Sequence, residues 1–261
     1  MPHRILIVTA VAAEADSVTA GLGLDGPELL PLPGGLVLRR HRDSVPRPAR
    51  GDAPADVQVD VLVGGVGPAA VAASTGTALA YASLTGSGAG RPYDLIVSAG
   101  IAGGFPSRAP VGSVVVSASI VAADLGAETP DGYLAVEELG FGRSAHPVPE
   151  ALTGRIAAVL GAGGLPHTVG PVLTVSTVTG TARRAAALAE RRPGAAAEAM
   201  EGFGVAEAAA AYGVPVVEIR AVSNAVGPRD RTAWRIGEAL ESLGHAFRLL
   251  GKTVFVELEP S

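Results

Sequence analysis

The sequence predicts an α/β protein with a sheet that is covered by helices on both faces. Strand-length apolar runs alternate with helix-forming segments along most of the 261 residues. The run at residues 5–9 is apolar at nearly every position, and residues 95–97 are apolar throughout, which is typical of strands buried on both faces. Hydrophobic residues make up 48% of the chain but aromatic residues only 4%, so we expect a core of aliphatic side chains.

The first part of the chain contains predicted strands, helices and two loops. Residues 23–35 are rich in Gly and Pro and predict a loop. Residues 43–55 read DSVPRPARGDAPA, and this polar, low-complexity run predicts an exposed loop. The strands are expected at residues 5–9, 36–42, 57–63 and 94–98, and the helices at residues 12–22 and 68–84.

The second part of the chain continues the alternation. Residues 124–142 mix acidic residues with Gly and Pro, and they predict a long excursion from the sheet. Pro149 suits the first position of a helix, and Gly213 suits the residue that ends one. Strands are expected at residues 112–118, 169–176 and 216–222, and helices at 150–160, after 181, at 200–212 and at 232–250. We find no internal repeat and no linker, so a single domain over residues 1–261 is expected.

The composition argues against several classes of function. A net charge of −5 disfavours nucleic acid or a membrane surface as a partner, since both usually need a basic patch, and no apolar window is long enough to span a membrane. The absence of cysteine excludes disulfides and thiol catalysis and fits a cytoplasmic protein. The five histidines lack ligand spacing, and no dinucleotide, GxSxG or Walker A motif occurs in its required context. We therefore expect neither a metal nor a cofactor.

Polar or glycine-rich segments follow the expected carboxyl ends of five strands. Ligands bind at that edge in open α/β sheets, so the sequence predicts a ligand site there. Each segment also has an ordinary explanation, because carboxylates favour helix starts, glycines suit tight turns and an asparagine can cap a turn. The segments are Glu14, residues 64–67, residues 100–104, residues 177–181 and residues 223–224.

Taken together, a series of segments resembles the nucleoside phosphorylase and nucleosidase family. After Glu14 at a helix start come VLVGGVGPAAVAAS, LIVSAGIAGGF, GSVVVSASIVAADLGAET, AMEGFGVAEAA and RAVSN, in an order that covers nearly the whole chain. The resemblance implies a three-layer α/β/α sandwich around a mixed, partly barrel-like sheet. It also implies a small nucleoside substrate and a homo-oligomer, a dimer or larger, in which a neighbour's loop within residues 125–133 closes the 5′ end of the site.

The resemblance also implies roles for residues at the ligand edge. Glu14 activates water, Glu201 holds the ribose hydroxyls beside Met200, and Asn224 stabilises charge on the departing base. These three polar residues, Glu14, Glu201 and Asn224, are the expected catalytic residues. The expected substrate-binding residues are Gly100, Ile101, Thr179, Met200, Phe203, Ser223, Arg229 and Arg231. Arg229 and Arg231 either belong to a solvated loop or pair with a substrate carboxylate.

Two departures from the family pattern narrow the expected reaction. Phosphorylases carry phosphate-gripping arginines near the first strand and the second glycine cluster, whereas TAVAAE and residues 98–104 contain none, so water is the expected nucleophile. Nucleosidases that cleave 6-aminopurines carry Ser-Asp where this chain has Ser223 and Asn224. An amide can donate to O6 of a 6-oxopurine and accept from N7–H, so hypoxanthine is the expected leaving base.

Within the family, the segment SNAVGPRDRTAW most resembles the futalosine hydrolases, which release hypoxanthine from futalosine in menaquinone biosynthesis. Three alternatives stay open on sequence alone. They are a nucleosidase for methylthioadenosine, S-adenosylhomocysteine or aminofutalosine, a purine nucleoside phosphorylase, and a catalytically silent nucleoside-binding module. Asn224 argues against the first, the missing arginines against the second, and the presence of both Glu14 and Glu201 against the third.

Overall fold

The computed structural model describes residues 3–23, 26–45, 55–86 and 91–258. The strands are β1 His3–Thr9, β2 Glu28–Pro31, β3 Val37–Val45, β4 Ala55–Val63, β5 Leu95–Gly104, β6 Val114–Ala122, β7 Gly126–Thr129, β8 Gly132–Ala135, β9 Ala145–Pro147, β10 His167–Thr174, β11 Ala197–Ala199 and β12 Val216–Ala225. The helices are α1 Ala12–Leu22, α2 Pro68–Thr85, α3 Glu150–Ala162, α4 Ala182–Arg191, α5 Gly202–Ala211 and α6 Ile236–Gly251.

Ten strands of the described chain form one mixed sheet. Strands β5, β12, β6, β10 and β11 close into a ring, because β11 pairs parallel with β10 and antiparallel with β5. On the other side of β5, the sheet continues through β1, β4 and β3 to an open edge at β2. The prediction of a mixed, partly barrel-like sheet is therefore confirmed.

The helices flank this sheet in closely packed pairs, α1 with α6 and α2 with α5. A Cβ on Gly21 of α1 would lie 2.1 Å from the Gly244 carbonyl oxygen of α6. A Cβ on Gly204 of α5 would lie 2.2 Å from the carbonyl oxygen of Pro68, the first residue of α2. Only glycine permits such an approach, since both distances are well below van der Waals contact. The predicted α/β/α class is confirmed, and its core is aliphatic as the composition predicted.

The glycine run at residues 100–104 departs most from the predicted elements. We expected a turn after a strand that ends near Ser98, but β5 continues through Gly104. The backbone of this run pairs with β12 on one side, and β11 pairs with its last two residues. A Cβ on Gly104 would also lie 2.2 Å from the Ala109 carbonyl oxygen. These glycines therefore serve close packing at the ring.

The remaining differences concern short elements with weak local signals. The predicted loop at residues 23–35 contains β2, and the excursion at 124–142 contains the β7–β8 hairpin. Helix α5 begins two residues later than predicted because β11 precedes it, and α6 begins four residues later than predicted. Of the expected loop at residues 43–55, residues 46–54 lie outside the described residues, while 43–45 continue β3 and 55 begins β4.

The buried charged residues that could form a functional site lie near the carboxyl edge of the sheet. Within the described ranges, no helix is both long enough and apolar enough to cross a membrane. In the same ranges, no three His, Cys, Asp or Glu side chains are grouped as metal ligands. The buried polar side chains that stand out instead are carboxylates gathered around one arginine, and they come from β12 and from the starts of α1 and α5.

Candidate active site

Glu14 lies in the first turn of α1, directly after β1, and is 4% exposed. Its Oε2 accepts hydrogen bonds from the Ala10 N–H at 3.0 Å and from the Val11 N–H at 3.3 Å. Its Oε1 accepts a hydrogen bond from the Ile101 N–H on β5 at 2.9 Å. Three backbone donors, two from the segment after β1 and one from within the neighbouring strand β5, therefore fix the orientation of this carboxylate. Ile101 contributes to the site through its main chain.

Arg220, on β12, is the cation of the site and is 1% exposed. Its guanidinium donates through Nε to Oε1 of Glu218 at 2.8 Å and through Nη2 to Oγ of Ser98 at 3.2 Å. The same Nη2 lies 3.2 Å from Oε2 of Glu201. The register of the sheet explains this position, because Arg220 pairs with Gly100 on β5.

Gly100 leaves the space in which the charged side chains meet. A Cβ at this position would lie 2.5 Å from both Nη1 of Arg220 and Oε1 of Glu14. A side chain here would push the guanidinium and the carboxylate out of place. Gly100 therefore belongs to the candidate site through the room it leaves, although it lies within a strand.

Glu201 reaches the same cluster from the start of α5 and is 6% exposed. Its Oε1 accepts a hydrogen bond from the Gly67 N–H at 3.3 Å, and its Oε2 accepts one from the Met200 N–H at 3.3 Å. Gly67 has a φ of 94°, a left-handed conformation that favours glycine. The glycine-rich segment after β4 thus presents a donor to Glu201, and the structure brings Glu14 and Glu201 together around Arg220.

The cluster contains more carboxylates than cations. Glu218, Glu201 and Glu14 all act on the one guanidinium of Arg220. Burial by itself lowers the pKa of Arg220, but attraction to these three carboxylates raises it above its ordinary value. Burial raises the pKa of Glu218, although Arg220 opposes that shift. Arg220 therefore stays charged, and the carboxylates of the cluster outnumber its cation.

The end of β12 carries Ser223, an expected substrate-binding residue, and Asn224, which was expected to stabilise the departing base. The strand bulges between Val222 and Asn224, which redirects the side chains that follow. The buried Ser223 donates from Oγ to Oδ1 of Asn224 at 2.9 Å, and Nδ2 of Asn224 donates to the Ala225 carbonyl at 3.0 Å. An amide has two N–H donors and two acceptor lone pairs, so the half-buried Asn224 keeps hydrogen-bonding capacity for a ligand.

Thr179 lies in the loop after β10, which is tied to β11. Its N–H donates to Oε1 of Glu198 at 2.8 Å, and its hydroxyl donates to the other oxygen of that carboxylate. Burial raises the pKa of Glu198, while the hydrogen bonds from Thr179 oppose the shift. Glu198 pairs with Gly103, which in turn pairs with Asn224. The loop of Thr179 is therefore anchored two strands from the predicted base-binding residue.

Arg229 and Arg231 lie in the loop that follows β12, and both are exposed. The Arg229 N–H donates to the Gly180 carbonyl at 3.3 Å, so this loop adjoins the one that carries Thr179. The Cζ atoms of Arg229 and Arg231 lie 5.3 Å and 5.9 Å from the ring centre of Trp234. The two guanidiniums therefore share one indole ring at the outer rim of the edge.

Met200 and Phe203 flank Glu201 but have different surroundings. Met200 is partly buried and packs against an apolar cluster that includes Val226. The Phe203 ring centre lies 5.2 Å from that of His146. Phe203 and Glu207, four residues apart on α5, line a cavity of about 690 Å³. Phe203 therefore lies on the same face of α5 as Glu207 and borders this cavity. The other lining residues are Leu125, Val136, Phe141, Gly142 and Arg143.

Arg220 and Glu218 are the charged residues of the site that sequence reasoning missed. The signal was present, since VVEIRAV places opposite charges two residues apart in an otherwise apolar strand. Residues i and i+2 share one face of a strand, so this spacing predicts a buried ion pair. Residues 98–104 contain no arginine, but β12 brings Arg220 against them. The site therefore does contain an arginine, and its surrounding carboxylates decide what that arginine can bind.

The chain belongs to the phosphorylase superfamily, whose family model matches residues 49–254. It is similar to the futalosine hydrolase of Streptomyces coelicolor, with 55% identity over 243 residues that cover 93% of each chain. It is also similar to the futalosine hydrolase of Acidothermus cellulolyticus, with 45% identity over 255 residues that cover 96% of this chain and 91% of the relative. The family resemblance that the sequence motifs predicted is confirmed.

Among solved structures, a futalosine hydrolase of Helicobacter pylori strain 26695 has the same fold. The two superpose with a TM-score of 0.74, and the match covers 95% of this chain and 97% of that one. Their sequence identity is 17%, so the likeness shows the fold alone.

Proposed function

We propose that the protein hydrolyses the N-glycosidic bond of futalosine and releases hypoxanthine and dehypoxanthine futalosine, as a step of menaquinone biosynthesis. The observation that carries the proposal is the buried cluster in which Glu14 and Glu201 meet around Arg220. Asn224 extends from the same sheet edge. The names of the relatives in Streptomyces coelicolor and Acidothermus cellulolyticus support futalosine as the substrate. The reaction as proposed needs water and no cofactor.

Each polar residue has one role in the proposed reaction. Glu14 orients a water molecule and takes its proton as the oxygen bonds to C1′. Glu201, with Met200 beside the sugar, holds the ribose hydroxyls. Asn224 hydrogen-bonds the purine as the bond to C1′ breaks and its electron pair moves to the base. The hydroxyl of water ends on C1′, and a proton from solvent completes the released hypoxanthine.

The carboxylates around Arg220 outnumber its single positive charge, and this excess of negative charge suits the proposed transition state. Positive charge develops on the ribose as the base departs, and preorganised negative groups stabilise it without reorganising. Glu14 and Glu201 are both almost fully buried, so their effect is weakly screened. Arg220 can offset only part of their combined charge.

The arrangement of the donors supports hydrolysis over phosphorolysis. Free backbone N–H groups at a helix start are well suited to bind a phosphate. Here the N–H groups of Ala10, Val11 and Ile101 already bind the carboxylate of Glu14. Arg220 is likewise surrounded by carboxylates, so an incoming phosphate would meet repulsion where a phosphorylase needs attraction.

The choice of base is proposed to rest on Asn224. Its amide can donate to O6 of hypoxanthine and accept from N7–H, whereas a carboxylate would repel O6. A nucleosidase for methylthioadenosine, S-adenosylhomocysteine or aminofutalosine releases a 6-aminopurine, which suits a carboxylate at this position. Asn224 therefore favours hypoxanthine over adenine.

The benzoate of futalosine is proposed to meet Arg229 or Arg231. A guanidinium can bind a carboxylate through two parallel hydrogen bonds. Both arginines lie against Trp234, which limits the directions their side chains can take. Both belong to the loop that begins directly after Asn224 and Ala225, the residues at the end of β12.

We also propose that the protein acts in the cytoplasm as a homo-oligomer. The absence of cysteine fits a reducing compartment. Phe141 is 68% exposed and lines the cavity beside Phe203, together with the half-exposed Leu125. A second copy of the chain would bury this apolar surface. Light scattering coupled to size exclusion should therefore give at least twice the mass of one chain, and a monomer at micromolar concentration would contradict this part.

A chromatographic assay tests the proposed function. The purified protein is incubated with futalosine and, separately, with aminofutalosine, in buffer without phosphate. We expect hypoxanthine from futalosine at a rate that added phosphate does not raise, and a much lower rate of adenine release from aminofutalosine. Adenine as the main product would favour the aminopurine nucleosidase, and strict dependence on phosphate would favour the phosphorylase. Tight binding of futalosine without turnover would favour the silent binding module.

A further inference from the structure

Glu218 is a buried carboxylate to which the proposed reaction gives no role. It is 0% exposed and lies on β12, two residues before Arg220 and on the same face of the strand. Its Oε1 accepts the Nε–H of Arg220 at 2.8 Å. Its Oε2 has no hydrogen-bond partner among the described residues. Burying a carboxylate with one oxygen unpaired costs stability, so this position calls for an explanation.

We propose that Glu218 is a positioning residue, which holds Arg220 by Nε so that the two terminal nitrogens face Glu201 and Glu14. A guanidinium is planar, so fixing Nε also fixes the directions of Nη1 and Nη2. In this orientation Nη2 lies 3.2 Å from Oε2 of Glu201, and Nη1 borders the space above Gly100 where Glu14 also lies. Without this anchor, the guanidinium can rotate away from the two carboxylates.

Packing against the start of α5 fixes the anchor itself. A Cβ on Gly202 would lie 2.0 Å from Oε2 of Glu218 and 2.5 Å from its Oε1. The carboxylate therefore lies directly against Gly202, the residue that follows Glu201. The backbone of Glu218 is also fixed, since its N–H donates to Oγ of Ser117 at 2.8 Å. The unpaired oxygen is thus held in contact with the helix that presents Glu201, and it cannot reach solvent.

Two conservative substitutions separate a positioning role from a role of charge alone. Glu218→Gln keeps an acceptor at the distance of Nε but removes the charge. Glu218→Asp keeps the charge but is one methylene too short to reach Nε. Asp60→Asn is the matched control, because Asp60 is a buried carboxylate that binds the guanidinium of another arginine, Arg40, from β4.

Steady-state kinetics with futalosine give the first readout, and this readout rests on the proposed function. We expect kcat to fall about tenfold to a hundredfold in Glu218→Asp with KM changed less than threefold, since the positioned groups act on the reacting bond. We expect Glu218→Gln to stay within about fivefold of the unmodified protein and Asp60→Asn within about twofold. If kcat fell in Glu218→Gln but was retained in Glu218→Asp, the negative charge of Glu218 would matter and its positioning of Arg220 would not, which would overturn the proposal. Unchanged kcat in both variants would overturn it outright.

A second readout does not depend on turnover. In ¹H–¹⁵N spectra, we expect the Nε–H signal of Arg220 to be protected from exchange in the unmodified protein and in Glu218→Gln, and to lose protection in Glu218→Asp. Equal protection in both variants would contradict the anchor. Absence of futalosine turnover in the unmodified protein would count against the proposed function alone, because this signal would still report on Glu218.

Discussion

Two arginine–carboxylate clusters within the described part of the chain are built differently. In the first, Arg40 on β3 donates through Nε and Nη2 to the two oxygens of Asp60 on β4, at 2.9 Å and 2.8 Å. The Tyr93 hydroxyl and the Gln58 amide also donate to Asp60. The hydrogen bond with Asp60 is the main cause that raises the pKa of Arg40. One cation meets one anion, and both oxygens of the carboxylate are bound.

In the second cluster, Arg220 faces the carboxylates of Glu14, Glu201 and Glu218, and one oxygen of Glu218 is without a hydrogen bond in the described chain. The charges do not balance, and the cluster lies at the ligand edge of the sheet. A balanced buried pair has its polar groups satisfied within the fold. An unbalanced one retains a field that a substrate can use, which is why strongly perturbed groups concentrate at functional sites. The difference suggests that the Arg40 cluster serves the fold and the Arg220 cluster serves the reaction.

The largest expected effect comes from Glu14→Gln in the second cluster. We expect kcat for futalosine to fall at least about a thousandfold, because an amide cannot take a proton from water. One end of the new side chain would also turn N–H donors toward the N–H groups of Ala10 and Val11 or of Ile101. Circular dichroism and thermal melting should show the fold retained. Near-normal release of hypoxanthine would remove Glu14 from the mechanism.

Asp60→Ala should give the opposite pattern, a large loss of stability with little loss of chemistry. Arg40 would be left with an uncompensated charge and the Tyr93 hydroxyl without its acceptor. Removal of one partner of a buried pair costs about 3–5 kcal/mol. Urea unfolding measures this cost, and kcat of the folded fraction should stay within about twofold. If kcat fell as far as in Glu14→Gln, the two clusters would not be separable in function.

Asn224→Asp is expected to change specificity more than fold. The new carboxylate repels O6 of hypoxanthine and accepts from the exocyclic amine of adenine. A difference of about 1–3 kcal/mol in such a hydrogen bond corresponds to about fivefold to 150-fold in rate. The ratio of kcat/KM for futalosine to that for aminofutalosine should fall by this amount. An unchanged ratio would mean that Asn224 does not select the base.

The smallest effect on catalysis is expected from a change at Arg231, at the outer rim of the sheet edge. Arg231→Ala should raise KM for futalosine about threefold to tenfold with kcat unchanged, since an exposed ion pair contributes only about 0.2–1 kcal/mol and a bidentate one somewhat more. The increase should shrink at high salt. Arg155→Ala, which removes another partly exposed arginine, one that pairs with Glu257, is the control. If both variants behave alike, Arg231 does not bind the substrate.

The sequence predicted the local elements of the fold better than the contacts between distant segments. The apolar runs and the polar segments at their ends predicted the α/β class and the ligand edge. Such predictions succeed because the spacing of apolar residues that marks a strand or helix is a local pattern of a few residues. The closure of β11 onto β5 was not predictable in this way, since Ala197–Ala199 is a three-residue strand whose pairing partners are distant in sequence. For the same reason, the sequence predicts a turn at the glycines of residues 100–104, where the structure has a strand.

Glu14 and Glu201 could be proposed from sequence because both stand at helix starts in recognisable segments. Their meeting around Arg220 could not, because it depends on the register that pairs Arg220 with Gly100. Glu218 and Arg220 lie in a strand whose other residues up to Val222 are all aliphatic. A charged pair two residues apart in such a strand is the local signal that identifies a cluster of this kind.

The most direct test of the account follows the oxygen atom. The protein is incubated with futalosine in phosphate-free H₂¹⁸O, and the products are analysed by mass spectrometry as soon as they form. We expect unlabelled hypoxanthine and dehypoxanthine futalosine that carries one ¹⁸O atom at C1′. Product formed only after phosphate is added, with a phosphate group at C1′, would contradict the claim that the Glu14–Glu201–Arg220 cluster activates water.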